Sequence, residues 1–170
     1  MNSMQKPHWL RNKLTSSEHL GKVRQTLDNM GVHTVCSEAK CPNRNHCYSL
    51  GQATFLIMGD TCTRNCKFCA IHSGDIEKLD PNEPTRVAQV VKELKLKYAV
   101  ITSVTRDDIP DGGANHFAET ICRIRELSPD TGIEILVPDF LGDEKALSTV
   151  LDESPDVFNH NVETIPRLYD

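Results

Sequence analysis

No apolar run in this chain approaches the ~18 consecutive residues that mark a bilayer-spanning helix, so no membrane segment is expected. Positive charge is not in excess either: 19 Lys and Arg stand against 24 Asp and Glu, a formal charge of -5. Nucleic acid is therefore not expected as a principal partner, because its phosphates are bound by clustered cations. The opening residues, MNSMQKPHWLRNKL, carry Lys6, Arg11 and Lys13, but no apolar h-region and no small-residue cleavage site follow. They read as neither a secretory signal nor a transit peptide, and the expected address is the cytoplasm. The chain has 170 residues, 38% apolar and 25% charged, which suits one soluble domain with a proper core.

Cysteine is what the sequence has in plenty. Six of its seven cysteines fall between Cys36 and Cys69, and in a reducing compartment such a cluster points to metal ligation rather than to disulfides. The seventh, Cys122, follows Ile121 in an apolar-periodic stretch and is expected to pack in the core as a small hydrophobe.

The first fifty residues are polar and turn-rich, with a helix expected over 16–30 and Gly31 as its C-cap, and nothing in them suggests an independent core. From residue 52 the pattern changes. ATFLIMG reads as a buried strand, and PTRVAQVVKELKLK as a helix with Val87, Val90, Val91 and Leu94 on one face and Pro84 at its start. The unit recurs as YAVITSV followed by a helix carrying Phe117, Ile121, Ile124 and Leu127, then as GIEILVP with GDEKALSTVL, and DVFNH adds a fourth strand. Alternating strands and helices define an α/β chain with a parallel sheet, whose functional groups gather at the carboxyl ends of the strands. Two regions follow: an N-terminal cysteine-rich extension, 1–51, and a barrel-like unit, 52–170, holding about four strand-helix units at roughly 31 residues each.

Cys62, Cys66 and Cys69 form C-x3-C-x2-C directly after the first of these strands. Three thiolates on a short loop can hold three irons of a cubane cluster and leave the fourth iron open. A zinc site with His72 as fourth ligand is the other reading of the spacing. Cys36, Cys41 and Cys47 form a second triad, C-x4-C-x5-C, for which His46 keeps zinc open in the same way. Two triads this close suggest two metal centres.

C-x3-C-x2-C after a first barrel strand resembles the signature of the radical S-adenosylmethionine superfamily. CSEAKCPNRNHC resembles the auxiliary-cluster motif of the lipoyl synthase family. LDPNEPTRVA, TSVTRDDIPDGGANHFAETI and DVFNHNVETIPRLY extend that similarity over nearly the whole chain. The resemblance implies a partial radical-SAM-type (β/α) barrel with S-adenosylmethionine at its carboxyl-end face and two 4Fe-4S clusters. Cys62, Cys66 and Cys69 match the ligands of the cluster whose open iron chelates the cofactor and whose electron cleaves it to a 5'-deoxyadenosyl radical. Cys36, Cys41 and Cys47 match the ligands of an auxiliary cluster that gives up sulfur to carbons six and eight of an octanoyl chain.

The implied partners are an octanoylated lipoyl-carrier protein or domain and an electron donor such as a flavodoxin or ferredoxin. Thr102 and Ser103, at the end of the second strand, are candidates for contact with the cofactor's amino group, the alternative being an ordinary strand-end turn. Asn161 and Glu163 are candidates for its ribose or methionine end, the alternative being helix capping. Arg106, Asp107 and Asp108 are read as a solvated charged loop. The family completes its auxiliary cluster with a serine in an Arg-Ser-Ser-Tyr motif near the carboxyl terminus. This sequence has no such motif, which implies a fragment or a chain completed by another polypeptide. The competing readings are another radical enzyme with an auxiliary cluster and a non-catalytic zinc-binding module.

Overall fold

The computed structural model describes residues 18–168; the start of the helix expected at 16 and the three basic residues near the amino terminus lie outside them. Helix α1 runs Glu18–Met30 and stops at Gly31, whose φ of 58° suits a residue without a Cβ. The amide of Val32 then returns to the Leu27 carbonyl at 3.1 Å, closing the helix in a Schellman turn. Strand β1 is only His33–Thr34, and Thr34 caps α2, Val35–Glu38, by accepting from the Ser37 amide. Helix α3 spans Arg44–Ser49.

Strand β2, Thr54–Ile57, is the apolar run read from the sequence. Two short strands, β3 at Thr61–Cys62 and β4 at His72–Ser73, pair in parallel across the first cysteine loop. Helix α4 is Glu83–Glu93, with Pro84 in its first turn, where a missing N–H costs nothing. It ends earlier than its apolar spacing suggests: Lys95 is left-handed, and the Leu96 amide returns to the Val91 carbonyl. Then follow β5, Tyr98–Ser103; α5, Ala114–Leu127; β6, Gly132–Val137; α6, Glu144–Asp152; and β7, Val157–His160. Asp143 caps α6 through the Lys145 and Ala146 amides.

The main sheet has the order β1-β2-β5-β6-β7. Strands β2, β5, β6 and β7 are parallel, with Thr54 opposite Val100, Tyr98 opposite Gly132 and Glu134 opposite Val157, while β1 joins the outer edge antiparallel. Three strand-helix units and a fourth strand make a partial barrel of the radical-SAM type. Among the described residues only a 3-10 turn, Pro166–Leu168, follows β7.

Alternation along the strands decides what is covered. Phe55, Ile57, Ala99, Ile101, Ile133 and Ile135 are fully buried, against Val87, Val90 and Val91 of α4, Phe117, Ile121 and Ile124 of α5, and Val150 of α6. The other face carries Val100, Thr102, Glu134 and Leu136, half-buried. There the Glu134 carboxylate accepts from the Tyr98 hydroxyl and the Asn159 amide, both at 2.7 Å.

Residues 18–51 pack on this sheet. Val23, Leu27, Val32, Cys36 and Tyr48 belong to the same apolar core, and the Tyr48 hydroxyl lies 2.7 Å from Thr34 Oγ1. Cys122 is a correction to the sequence reading: it is half-exposed and outside that core. One residue past Ile121 it sits about 100° round the helix, beside Glu126, and burial together with Glu126, Glu153 and Glu119 pushes its thiol pKa up.

Candidate functional site

The first cysteine loop hangs from the carboxyl ends of the strands. Cys62 Sγ accepts from the Arg64 amide at 3.4 Å and from the Thr105 amide, beyond the end of β5, at 3.3 Å. Such N–H···S bonds lower the charge on a thiolate and tune a cluster built on it. Thr63 donates to the Thr105 carbonyl from both its amide and its hydroxyl. Cys66 and Cys69 are exposed on a tight turn closed by the Cys69 amide on the Cys66 carbonyl.

Arg64 fixes the loop to two others. Its guanidinium makes forked bonds to Asp107, after β5, and to Asp139, after β6, at 2.7–2.9 Å. Arg64 holds the Asp139 carboxyl down to about 2, a further contribution coming from the Leu141 amide, and holds Asp107 below the usual carboxylate range. All three are about one-third to one-half exposed, so water screens much of this attraction.

The charged triple at 106–108 is a second correction, for Arg106 alone. Arg106 is buried, its guanidinium paired with Asp108 at 2.8 Å and donating to the carbonyls of Met58 and Glu77. Asp107 belongs to the Arg64 fork. Asp107 and Asp108 are exposed, as a solvated loop would have them; Arg106 alone is internal, because its guanidinium has protein partners.

A cleft of about 340 Å³ opens beside the loop, within the size range of small-molecule sites, roughly 300–1,000 Å³. It brings together Cys62, Cys66 and Cys69 with Thr102, Ser103, Asn161 and Glu163, and Ile71, Leu136 and Val137 supply apolar wall. The two residues at the end of β5 differ. The Thr102 hydroxyl is spent on the Leu136 carbonyl at 2.9 Å, whereas Ser103 Oγ is buried with no partner among the described residues. A buried hydroxyl left unpaired in a cleft wall suits a ligand that brings its own polar group. Asn161 and Glu163 do not cap an α-helix among the described residues.

The second triad lies at the other end of the sheet. Cys36 is buried on α2; Cys41 follows in the loop, and Cys47 is on α3. Burial pushes the Cys36 thiol up, the backbone of Thr54, the first residue of β2, opposes this, and Cys47 and Cys41 add to the rise. A cavity of about 570 Å³ beside Cys36 and Cys47 is bounded by Thr54, Tyr98 and the Leu94–Lys97 turn, at the amino ends of β2 and β5. The length of β2, about 10 Å at ~3.3 Å per residue, stands between the two triads.

Among the described residues, the one trio of ligand atoms drawn within 4.8 Å of one another is that of His33, Glu38 and Asp60. Neither cysteine triad forms such a trio. Arg64 and Asp139 were not singled out in the sequence, and Asp107 was read only as part of a charged loop; the only signal for their role was their position on loops after strands.

The fold and its cysteine loop define a class. Residues 56–170 match the model of the radical SAM superfamily, and the chain belongs to that superfamily, whose chemistry uses S-adenosylmethionine and a 4Fe-4S cluster. Among its curated relatives, it is 52% identical over 169 residues to the lipoyl synthase of Caldicellulosiruptor saccharolyticus, covering 99% of this chain and 59% of the relative. It is 54% identical over 165 residues to the lipoyl synthase of Hahella chejuensis (96% and 50%), and 55% identical over 164 residues to that of Desulfotalea psychrophila (96% and 55%). The chain thus spans a little over half the length of the curated relatives it matches. No helix among the described residues is long and apolar enough to cross a membrane.

Proposed function

We propose that this chain carries the two cluster-binding regions of a lipoyl synthase, which inserts two sulfur atoms at carbons six and eight of a protein-bound octanoyl chain. Cys62, Cys66 and Cys69 hold the 4Fe-4S cluster that binds S-adenosylmethionine; Cys36, Cys41 and Cys47 hold the auxiliary 4Fe-4S cluster. When bound, these groups supply hydrogen abstraction from unactivated carbon and a source of sulfur. The protein's part is to position them. The Arg64 and Thr105 amides steady Cys62, the Arg64 fork ties the loop to its neighbours, and Ser103 offers its free hydroxyl to the cofactor. Thr102, Asn161 and Glu163 line the same cleft, and Ile71, Leu136 and Val137 keep water from it.

The observation that carries this reading is the single cleft shared by the three thiols and the unpaired Ser103 hydroxyl, with a second cysteine triad beyond the far end of β2. Two centres at opposite ends of one short strand suit a division of labour, with radical formation at one and sulfur delivery from the other. In this reading residues 1–51 form the auxiliary-cluster extension and 52–170 the barrel unit. The substrate is an octanoylated lipoyl-carrier protein or domain, the electron donor a flavodoxin or ferredoxin, and the address the cytoplasm.

The test is to incubate the anaerobically reconstituted protein carrying this chain with S-adenosylmethionine, a reductant and an octanoyl-lysyl carrier. Mass spectrometry should find 5'-deoxyadenosine and a carrier with sulfur at both carbons. A protein with both clusters assembled that leaves the octanoyl chain unchanged would refute the assignment.

A further inference from the structure

We infer that Glu83 is a positioning residue for the first cysteine loop: from the first turn of α4 it reaches through the core to clamp the backbone at Met58, where the chain turns out of β2 toward Cys62. This rests on reading Cys62, Cys66 and Cys69 as cluster ligands. Met58 has a φ of 68° and Gly59 a φ of 91°, so two successive left-handed residues turn the strand into the loop. Glycine adopts that conformation freely, but methionine does not, and Met58 holds it while buried.

The main-chain groups of Met58 are held from two sides. The Val104 amide on the Ile57 carbonyl is the last bond joining this end of β2 to the β5 segment. Beyond it, the Met58 amide donates to Glu83 Oε2 at 2.7 Å, and the Met58 carbonyl accepts from Arg106 Nη1 at 3.4 Å. His116 Nε2 lies 2.7 Å from the same Glu83 oxygen and fixes the carboxyl group's orientation. Glu83 and His116 are buried, where a carboxyl group is costly to place unless it is fully paired.

The Met58 side chain completes the fit. It packs on Gly113, where an added Cβ would stand 2.2 Å from Met58 Sδ. Arg106 carries the clamp to the site, since the neighbouring Thr105 donates its amide to Cys62 Sγ and Asp107 holds Arg64. Glu83 touches no candidate ligand. It acts through Met58 on where Cys62 stands relative to Cys66 and Cys69, which are tied to their own turn.

The experiment uses a Cys41→Ala background, so that only iron at the first triad is counted, and compares Glu83→Ala, Glu83→Gln and a remote core control, Val150→Ala. Each chain is reconstituted anaerobically, titrated with a ferrous chelator, and examined by electron paramagnetic resonance of the reduced cluster with and without S-adenosylmethionine. Glu83→Ala should release iron at about tenfold lower chelator concentration, as expected for loss of one buried hydrogen bond, and its spectrum should change. Glu83→Gln, which keeps an acceptor oxygen for the Met58 amide, should restore both properties. The inference is overturned if Glu83→Ala keeps the parent's spectrum and iron retention, or if Val150→Ala, matched for loss of apo-protein thermal stability, releases iron equally. A parent that assembles no cluster refutes the ligand assignment itself, and the inference with it, and that outcome is read from the parent sample alone.

Discussion

Replacing Cys66 with alanine should abolish cofactor cleavage while leaving the fold intact. Cys66 is exposed on the turn of the first loop and contributes nothing to the core, so the apo-protein melt should be unchanged. The loss lies in the metal centre. Three thiolates hold three irons of a cubane; with two, a second iron loses its protein ligand and the cluster becomes labile. Removing partners that merely hydrogen-bond to ligands costs 10–100-fold in other metal sites, so loss of a ligand should lower 5'-deoxyadenosine formation by at least about 100-fold. Normal 5'-deoxyadenosine formation by Cys66→Ala would remove this loop from the mechanism.

Cys41→Ala should separate the two activities. Cys41 lies in the segment between α2 and α3 that packs beyond the amino end of β2, whereas the first loop leaves its carboxyl end. No described hydrogen bond joins the two triads, and substitutions at distant sites without shared partners act independently. Formation of 5'-deoxyadenosine should therefore stay within about twofold of the parent, while sulfur insertion into the octanoyl carrier falls below detection. Loss of both products from a protein that still holds its first cluster would contradict independent centres.

The parts of this molecule that were legible in the sequence rest on local periodicity. The apolar run at ATFLIMG could only be a buried strand once a glycine and a polar loop ended it. Val87, Val90 and Val91 at helical spacing behind Pro84 likewise fixed α4. The cysteine spacing picked out two triads, and the fold sets the first at the carboxyl ends of the strands and the second beyond the amino end of β2. Pairings across long separations left none. Arg106 reads as one of three charges in a turn until the Met58 carbonyl, 48 positions earlier, is seen to accept from it.

Glu83 at the first position of a helix reads as an ordinary dipole-complementing acid, and only the tertiary fold reveals that it is buried against His116. The two-residue β1 is too short to carry an alternation pattern, so the attachment of the extension to the sheet edge was invisible. Cys122 misled because its neighbour Ile121 is core, although adjacent helical positions do not share a face.

The central claim is that two cysteine triads at opposite ends of β2 hold two separate iron-sulfur clusters, and metal analysis tests it most directly. Anaerobic reconstitution followed by iron, sulfide and zinc determination, with Mössbauer spectra of the parent, Cys66→Ala and Cys41→Ala, counts and locates the centres in one series. Two cubane clusters require about eight irons and eight sulfides per chain in the parent, and each substitution should remove one centre and spare the other. Stoichiometric zinc with no cluster spectrum, or a single cluster lost equally in both variants, would contradict it.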